Sequence, residues 1–187
     1  HRDRRIAAHG TTTLEVKSGY GLSLESELAT LRVIRRLAAE VPLRLVATFL
    51  GAHEVPLEYR EAPRDRGQYI ALVTEEMIPA VAKEGLARFC DVFCEPGVYT
   101  VDETRRILTA ARGAGMGLKL HADELENGAA ADLAAELGAT SADHLAAISD
   151  LGIAALAASG TVATLLPGTM LFLRSEERRV GKECEDL

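Results

Sequence analysis

The stretch LKLHADELENG, Leu118–Gly128, ends a short apolar run on one histidine, His121, and places an acid, Glu124, three residues later. It reads as a strand that stops at His121 and spills into a polar loop. Whether that defines a fold depends on whether the same arrangement recurs.

It does recur. TTTLEVKSGYG (11–21) reads as a β-branched strand entering a Gly-rich loop. SLESELATLRVIRRLAAE (23–40) reads as a helix, with Glu25 and Glu27 in its first turn and Arg32, Arg35 and Arg36 near its end, as the helix dipole favours. Leu24, Leu28, Leu31, Ile34, Leu37 and Ala38 form its apolar stripe. LRLVATFLGAHEVP (43–56) is a second strand finishing at His53, followed by a polar loop, LEYREAPRDRGQ (57–68). YIALVTEEMIPAVAKEG (69–85) is a helix with a bend expected at Pro79. FCDVFCEPG (89–97) is a third strand ending at Glu95. Thr100 and Glu103 make a capping box that opens a helix closed by Gly113 or Gly115. After the fourth strand, GAAADLAAELG (128–138) is a helix and TSADHL (140–145) a short strand ending at His144. SDLGIAALAASG (149–160) is a further helix and TVATLLPGT (161–169) a sixth strand.

Six apolar strands alternating with five helices imply parallel strands buried on both faces. A doubly wound sheet and a (β/α)8 barrel both satisfy that pattern. The polar residues favour the barrel. Tyr20, His53, Glu95, His121 and His144 fall at or just past successive strand ends. Barrel strand ends converge on one mouth, whereas an open sheet spreads them apart. The fold expected is α/β: a partial (β/α)8 TIM-type barrel of about six parallel strands with intervening helices, cut at both ends because closure needs eight.

Composition agrees with an ordinary soluble α/β domain: 187 residues, 48% hydrophobic and 26% charged. Twenty-eight acids against 21 bases, net −7, give no sign of a basic nucleic-acid groove. No apolar run reaches the roughly 18 residues a membrane helix needs, and the first residues lack a signal-peptide core. Three cysteines, Cys90, Cys94 and Cys184, show no disulfide framework and point to free thiols in a reducing compartment. Cys90 and Cys94 would share a strand face; buried thiols are a simpler reading than a redox or metal pair.

A neutral imidazole at a strand end suits zinc or iron. A carboxyl three residues on can move a proton between water and a leaving nitrogen. His144 could hydrogen-bond the attacking water or an oxyanion. The plain alternative is a core histidine at 121 and a solvated acid at 124, which His53 and His144 at equivalent places weaken. Tyr20 either donates to a substrate carbonyl or packs under its loop. Lys17 pairs with Glu15 or Glu95, or points inward. Asp123 orients an imidazole or caps the next element of the chain. His9 reads as structural, at the start of a strand.

HGTTTLEVKSGYGL, FLGAHEVP, DVFCEPGVYT, LKLHADEL, SADHL and ATLLPGTMLFL closely resemble imidazolonepropionases of the amidohydrolase superfamily, from about His9 to Leu173. The resemblance implies a (β/α)8 barrel, of which this chain would supply strands 2–7. It implies one zinc or iron ion and hydrolysis of the cyclic amide 4-imidazolone-5-propanoate to N-formimino-L-glutamate in histidine breakdown. It makes His121 the metal ligand of the fifth barrel strand and Glu124 the proton-shuttling acid, also touching substrate. His144 becomes the sixth-strand histidine beside the hydrolytic water, and Tyr20 and His53 substrate contacts. Expected partners are the small-molecule substrate and, at full length, a second copy in a homodimer, with no nucleic acid or membrane; the location expected is the cytoplasm.

Departures from the family pattern set further expectations. Its HxH pair, a substrate-gripping arginine and a last-strand aspartate have no counterpart here. With one of four metal ligands present, the isolated chain is expected to bind metal weakly or not at all and to be inactive. Residues 1–173 are expected to be the partial barrel domain. Residues 174–187 are expected to be a non-family tail, because RSEERRVGKEC (174–184) resembles a translated sequencing adapter. The rival readings are another amidohydrolase, such as a cytosine- or guanine-type deaminase, and a non-catalytic α/β fragment that binds no metal.

Overall fold

The structure, a computed structural model, describes residues 2–61 and 65–173. The 174–187 tail with Cys184, and His1, lie outside the described residues. The described residues carry six parallel strands alternating with helices, the pattern of a partial TIM-type barrel. They fall into two compact units. One comprises residues up to Val92 with Arg106–Gly117; the other comprises Phe93–Arg105 with residues from Leu118 onward.

In the first unit, α1 (Arg2–Ala8) precedes β1 (Thr13–Lys17), so His9 follows a helix rather than opening a strand. α2 (Leu24–Leu37) starts at Ser23, whose side chain accepts from the Ser26 N–H. Its core face is Leu28, Leu31 and Ile34; the expected stripe stops there, because Leu37 and Ala38 are exposed. β2 (Arg44–Ala52) pairs in parallel with β1 from Thr13 opposite Arg44 to Lys17 opposite Thr48. β3 (Phe89–Cys94) then pairs with β2, with a register irregularity between Phe49 and Ala52 that falls just before His53.

The helix expected over 69–85 is three pieces: α3 (Arg66–Ala71), a π-helical turn (Leu72–Met77) and α4 (Ile78–Glu84). The cause is Pro79. It has no N–H to donate and its ring crowds the carbonyl four residues back. The turn widens instead, and the Ile78 N–H reaches back five residues to the Val73 carbonyl. Tyr69, fully buried, donates its hydroxyl to the Gly51 carbonyl at 2.7 Å and so ties this helix to β2.

α5 (Val101–Gly113) opens with the expected capping box. The Thr100 N–H donates to Glu103 Oε2 at 2.9 Å, and the Glu103 N–H donates to Thr100 Oγ1 at 3.2 Å. Gly115, at φ 85°, turns the chain after the helix.

In the second unit, β4 (Gly117–Ala122), β5 (Ser141–His144) and β6 (Val162–Leu165) are parallel neighbours in that order. His121 lies opposite Asp143, and Ala122 opposite His144. α6 (Ala130–Glu136) and α7 (Asp150–Ser159) connect them. β6 is shorter than the expected strand: it ends at Leu165, and Pro167 opens α8 (Pro167–Leu173). Proline at a helix start fits, since its missing N–H is not needed there. Cys90 and Cys94 are free and buried, in keeping with the plain reading of both.

Candidate active-site clusters

Each unit gathers polar residues where its strands end. In the first unit, Ser18–Leu22 forms a tight loop after β1. Glu27 of α2, only 1% exposed, folds back under it. Its carboxylate accepts the N–H groups of Gly19 (3.0 Å), Gly21 (3.1 Å) and Leu22 (3.0 Å). The glycines are required. Gly19 sits at φ +102° with the Leu50 carbonyl oxygen 2.6 Å from where a Cβ would go, and a Cβ on Gly21 would lie 2.3 Å from Ser26 Cβ. The loop presents Tyr20, 87% exposed, with its ring edge-on to His53 at 5.1 Å. His53 Nδ1 lies 3.0 Å from the Gly19 carbonyl, which favours the tautomer carrying a proton on that nitrogen. Tyr20 therefore packs on a histidine and still offers its hydroxyl to solvent.

Lys17 pairs with Glu15, one of the partners the sequence offered, and more closely with Asp91, which the sequence reading did not single out. It bonds Asp91 Oδ2 at 2.6 Å, with Glu15 farther off at 3.9 Å. Asp91 is fully buried on β3, and Glu15 also accepts from the Thr48 hydroxyl at 2.6 Å. A buried carboxylate needs such a partner.

In the second unit, His121, Glu124 and His144 come together. The two imidazole rings lie 5.1 Å apart at 32°, and Phe93 packs against His121 at 5.6 Å. Glu124 Oε1 stands 3.2 Å from His144 Nδ1, near enough for charge pairing though not aligned as a hydrogen bond. The backbone at His144 and Leu145 takes φ of 80° and 62°, a costly conformation for side-chain-bearing residues. Burial pushes the Glu124 carboxyl above the usual carboxylate range; His121 opposes this and Glu95 adds to it. A carboxyl poised that way keeps a proton to higher pH than a solvated one.

Two buried carboxylates hold the loop that carries Glu124. Glu95, just past β3 and 2% exposed, accepts the N–H groups of Glu124 (3.0 Å), Leu125 (3.0 Å) and Glu126 (2.7 Å). Asp123 accepts those of Gly128 (2.9 Å), Ala130 (3.2 Å) and Ala131 (3.1 Å). Asp123 thus caps α6, whose own first position, Ala129, has no capping side chain. Of the two roles open to Asp123 in the sequence, the cap is the one these bonds fill. Lys119 and Asp143 pair at 3.5 Å below the histidines.

Nitrogen and oxygen donors of this kind suit zinc or iron. Among the described residues, however, no group of three or more His, Cys, Asp or Glu is arranged to hold a metal ion. His121, Glu124 and His144 do not make a metal centre by themselves.

Comparison with known proteins gives the sequence relationship. An imidazolonepropionase of Desulfotalea psychrophila is 51% identical over 186 residues, covering 100% of this chain and 44% of that protein. One from Symbiobacterium thermophilum is 58% identical over 170 residues, 90% of this chain and 39% of the relative. The chain is homologous to a segment of the imidazolonepropionases. It spans about two fifths of the length of the curated imidazolonepropionases it matches. No family model matches it. Among solved structures, a 5-methylcytosine deaminase from Klebsiella pneumoniae matches with a TM-score of 0.61 at 15% identity, over 86% of this chain and 40% of the deaminase. A Xaa-Pro dipeptidase matches with a TM-score of 0.55 at 16% identity, over 81% of this chain and 41% of the dipeptidase. These likenesses concern the fold, and they agree with a partial TIM-type barrel.

Sequence reasoning found the three second-unit residues through histidines recurring at strand ends. It missed Glu27 and Asp91 as organisers, and it saw Glu95 as a strand end and a partner open to Lys17 rather than as the anchor of the Glu124 loop. Both Glu27 and Glu95 look like solvated acids until the loops they serve are folded. Asp91, in the middle of FCDVFCE, carried a usable signal: an acid inside an apolar strand needs a buried cation.

Proposed function

We propose that the protein this chain belongs to hydrolyses the cyclic amide of 4-imidazolone-5-propanoate to N-formimino-L-glutamate, a step in histidine breakdown in the cytoplasm. The reading rests on 51–58% identity to imidazolonepropionases across 90–100% of the chain. The meeting of His121, Glu124 and His144 supports it. No candidate membrane-spanning helix occurs among the described residues.

Water adds to the amide carbonyl, the ring C–N bond breaks, the carbonyl becomes a carboxylate, and the nitrogen leaves with a proton. Glu124 takes the proton from water and returns it to that nitrogen. Its raised proton affinity suits a group that must do both. His144, held beside Glu124, hydrogen-bonds the attacking water. Tyr20 and His53 contact substrate, the tyrosine through its exposed hydroxyl. His121 is one donor to a zinc or iron ion, which would supply Lewis acidity to water and carbonyl. The described residues do not complete a donor set for such an ion. The isolated chain is accordingly expected to be inactive. Residues 174–187 are proposed to be foreign to the domain, and resequencing the coding DNA tests this: genuine downstream sequence in that frame would refute it.

The test is ring opening by the full-length protein, followed through loss of substrate ultraviolet absorbance and the mass of the formimino product. Glu124→Gln should lower kcat by about a hundredfold or more. Turnover of aminopyrimidines or guanine without ring opening would replace this reading with a deaminase.

A further inference from the structure

We infer that Glu95 is a positioning residue, whose carboxylate fixes the backbone of residues 124–126 and thereby sets the Glu124 side chain against His144. The inference rests on the proposed function only in giving Glu124 a catalytic role. The geometry stands apart from that role. Glu95 directs both oxygens at three consecutive N–H groups, Oε2 at Glu124 and Oε1 at Leu125 and Glu126. Three charge-assisted bonds use most of what a carboxylate can accept. From the other side, Asp123 ties the same loop to Gly128 and to the start of α6. The backbone of Glu124 is thus gripped between two buried carboxylates and cannot slide along the sheet end. Its side chain has a short reach to His144, and the 3.2 Å approach depends on that grip.

A further consequence of the arrangement is electrostatic. Burial is the main reason the Glu124 carboxyl holds its proton more tightly than a solvated one, and the nearby buried Glu95 adds to that.

The test uses Glu95→Gln, which keeps the size of the side chain and removes its charge. Amide exchange at Glu124, Leu125 and Glu126 should speed about ten- to hundredfold, while β4 and β5 amides keep their rates. The nuclear Overhauser contact between the Glu124 side chain and the His144 ring should be lost. Unchanged exchange would overturn the inference. Faster exchange with the contact intact would also overturn it, making Glu95 a structural anchor only. If Glu95→Gln does not fold, Glu95→Asp, which keeps the charge but pulls it back, should weaken the same contact; an unaltered contact would refute the idea. In full-length protein, Glu95→Gln should lower kcat about tenfold with KM near that of the parent, the pattern of a lost transition-state interaction. A wild-type protein that opens no ring would remove the proposed function and leave the exchange and contact measurements to decide this inference.

Discussion

The loop after β1 and the loop after β4 solve one problem in two ways. Each is short, carries candidate site residues, and folds around a buried carboxylate that collects backbone N–H groups. In the first, that carboxylate is Glu27, five to eight residues ahead in the next helix. In the second, it is Glu95, from the connection before β4, 29–31 residues away, joined by Asp123 from within. The first loop is therefore shaped by its own sequence neighbourhood and closes at little entropic cost. The second has its shape only once β3 and β4 are in place. Tyr20 is displayed on a locally built platform, whereas Glu124 is set by tertiary structure.

Glycine substitutions separate the two designs most sharply. Gly19→Ala forces a side chain into a left-handed backbone position and against the Leu50 carbonyl; it should cost about 3 kcal/mol or more in urea denaturation. If it is tolerated, the first loop is not the tight turn described. Asp123→Asn comes next. Asparagine accepts the positive φ of 48° at that position but loses the charge that caps α6, so a loss of about 1–2 kcal/mol is expected. An unchanged midpoint would mean the second loop rests on Glu95 alone. Gly128→Ala tests the counterpart of Gly19. The nearest atom is Pro96 Cδ at 3.1 Å, in a flexible ring rather than backbone, and φ is not left-handed. The cost should stay below about 1 kcal/mol.

The smallest effect is expected at Glu124. Its carboxyl has a raised proton affinity in the fold, so ionisation is what the folded state resists. Stability tied to this group is present at low pH and is lost as pH rises through the folded value. Glu124→Gln removes that penalty. Melting at neutral pH should show no loss of stability and a slight gain, in contrast to its large effect on turnover. A clear destabilisation would mean that the contact with His144 holds the unit together.

How much of this the sequence disclosed depends on the range of each interaction. The six strands, the Thr100–Glu103 capping box and the helices between strands depend on residues a few positions apart and were legible; α1, α8 and the early end of β6 were not. The strand-end histidines were legible because the repeat of strand and helix puts them in register, and His121 and His144 do meet. The Lys17–Asp91 pair spans 74 positions; an acid inside an apolar strand signals the need for a cation, but nothing local says which one. Glu27 and Glu25 occupy the same first turn, yet only the former turns under the loop. The widened turn before Pro79 was half legible: the proline marked the place, but whether a helix bends or adds a residue depends on what packs against it.

Each strand pairing described joins strands that are consecutive in the chain, yet the first unit is closed by Arg106–Gly117, beyond its own last strand. During synthesis the N-terminal strands must wait for that stretch to leave the ribosome. Translating Phe93 to Gly117 takes roughly one to five seconds at typical elongation rates. For that interval β1 to β3 lack the stretch that completes their compact unit.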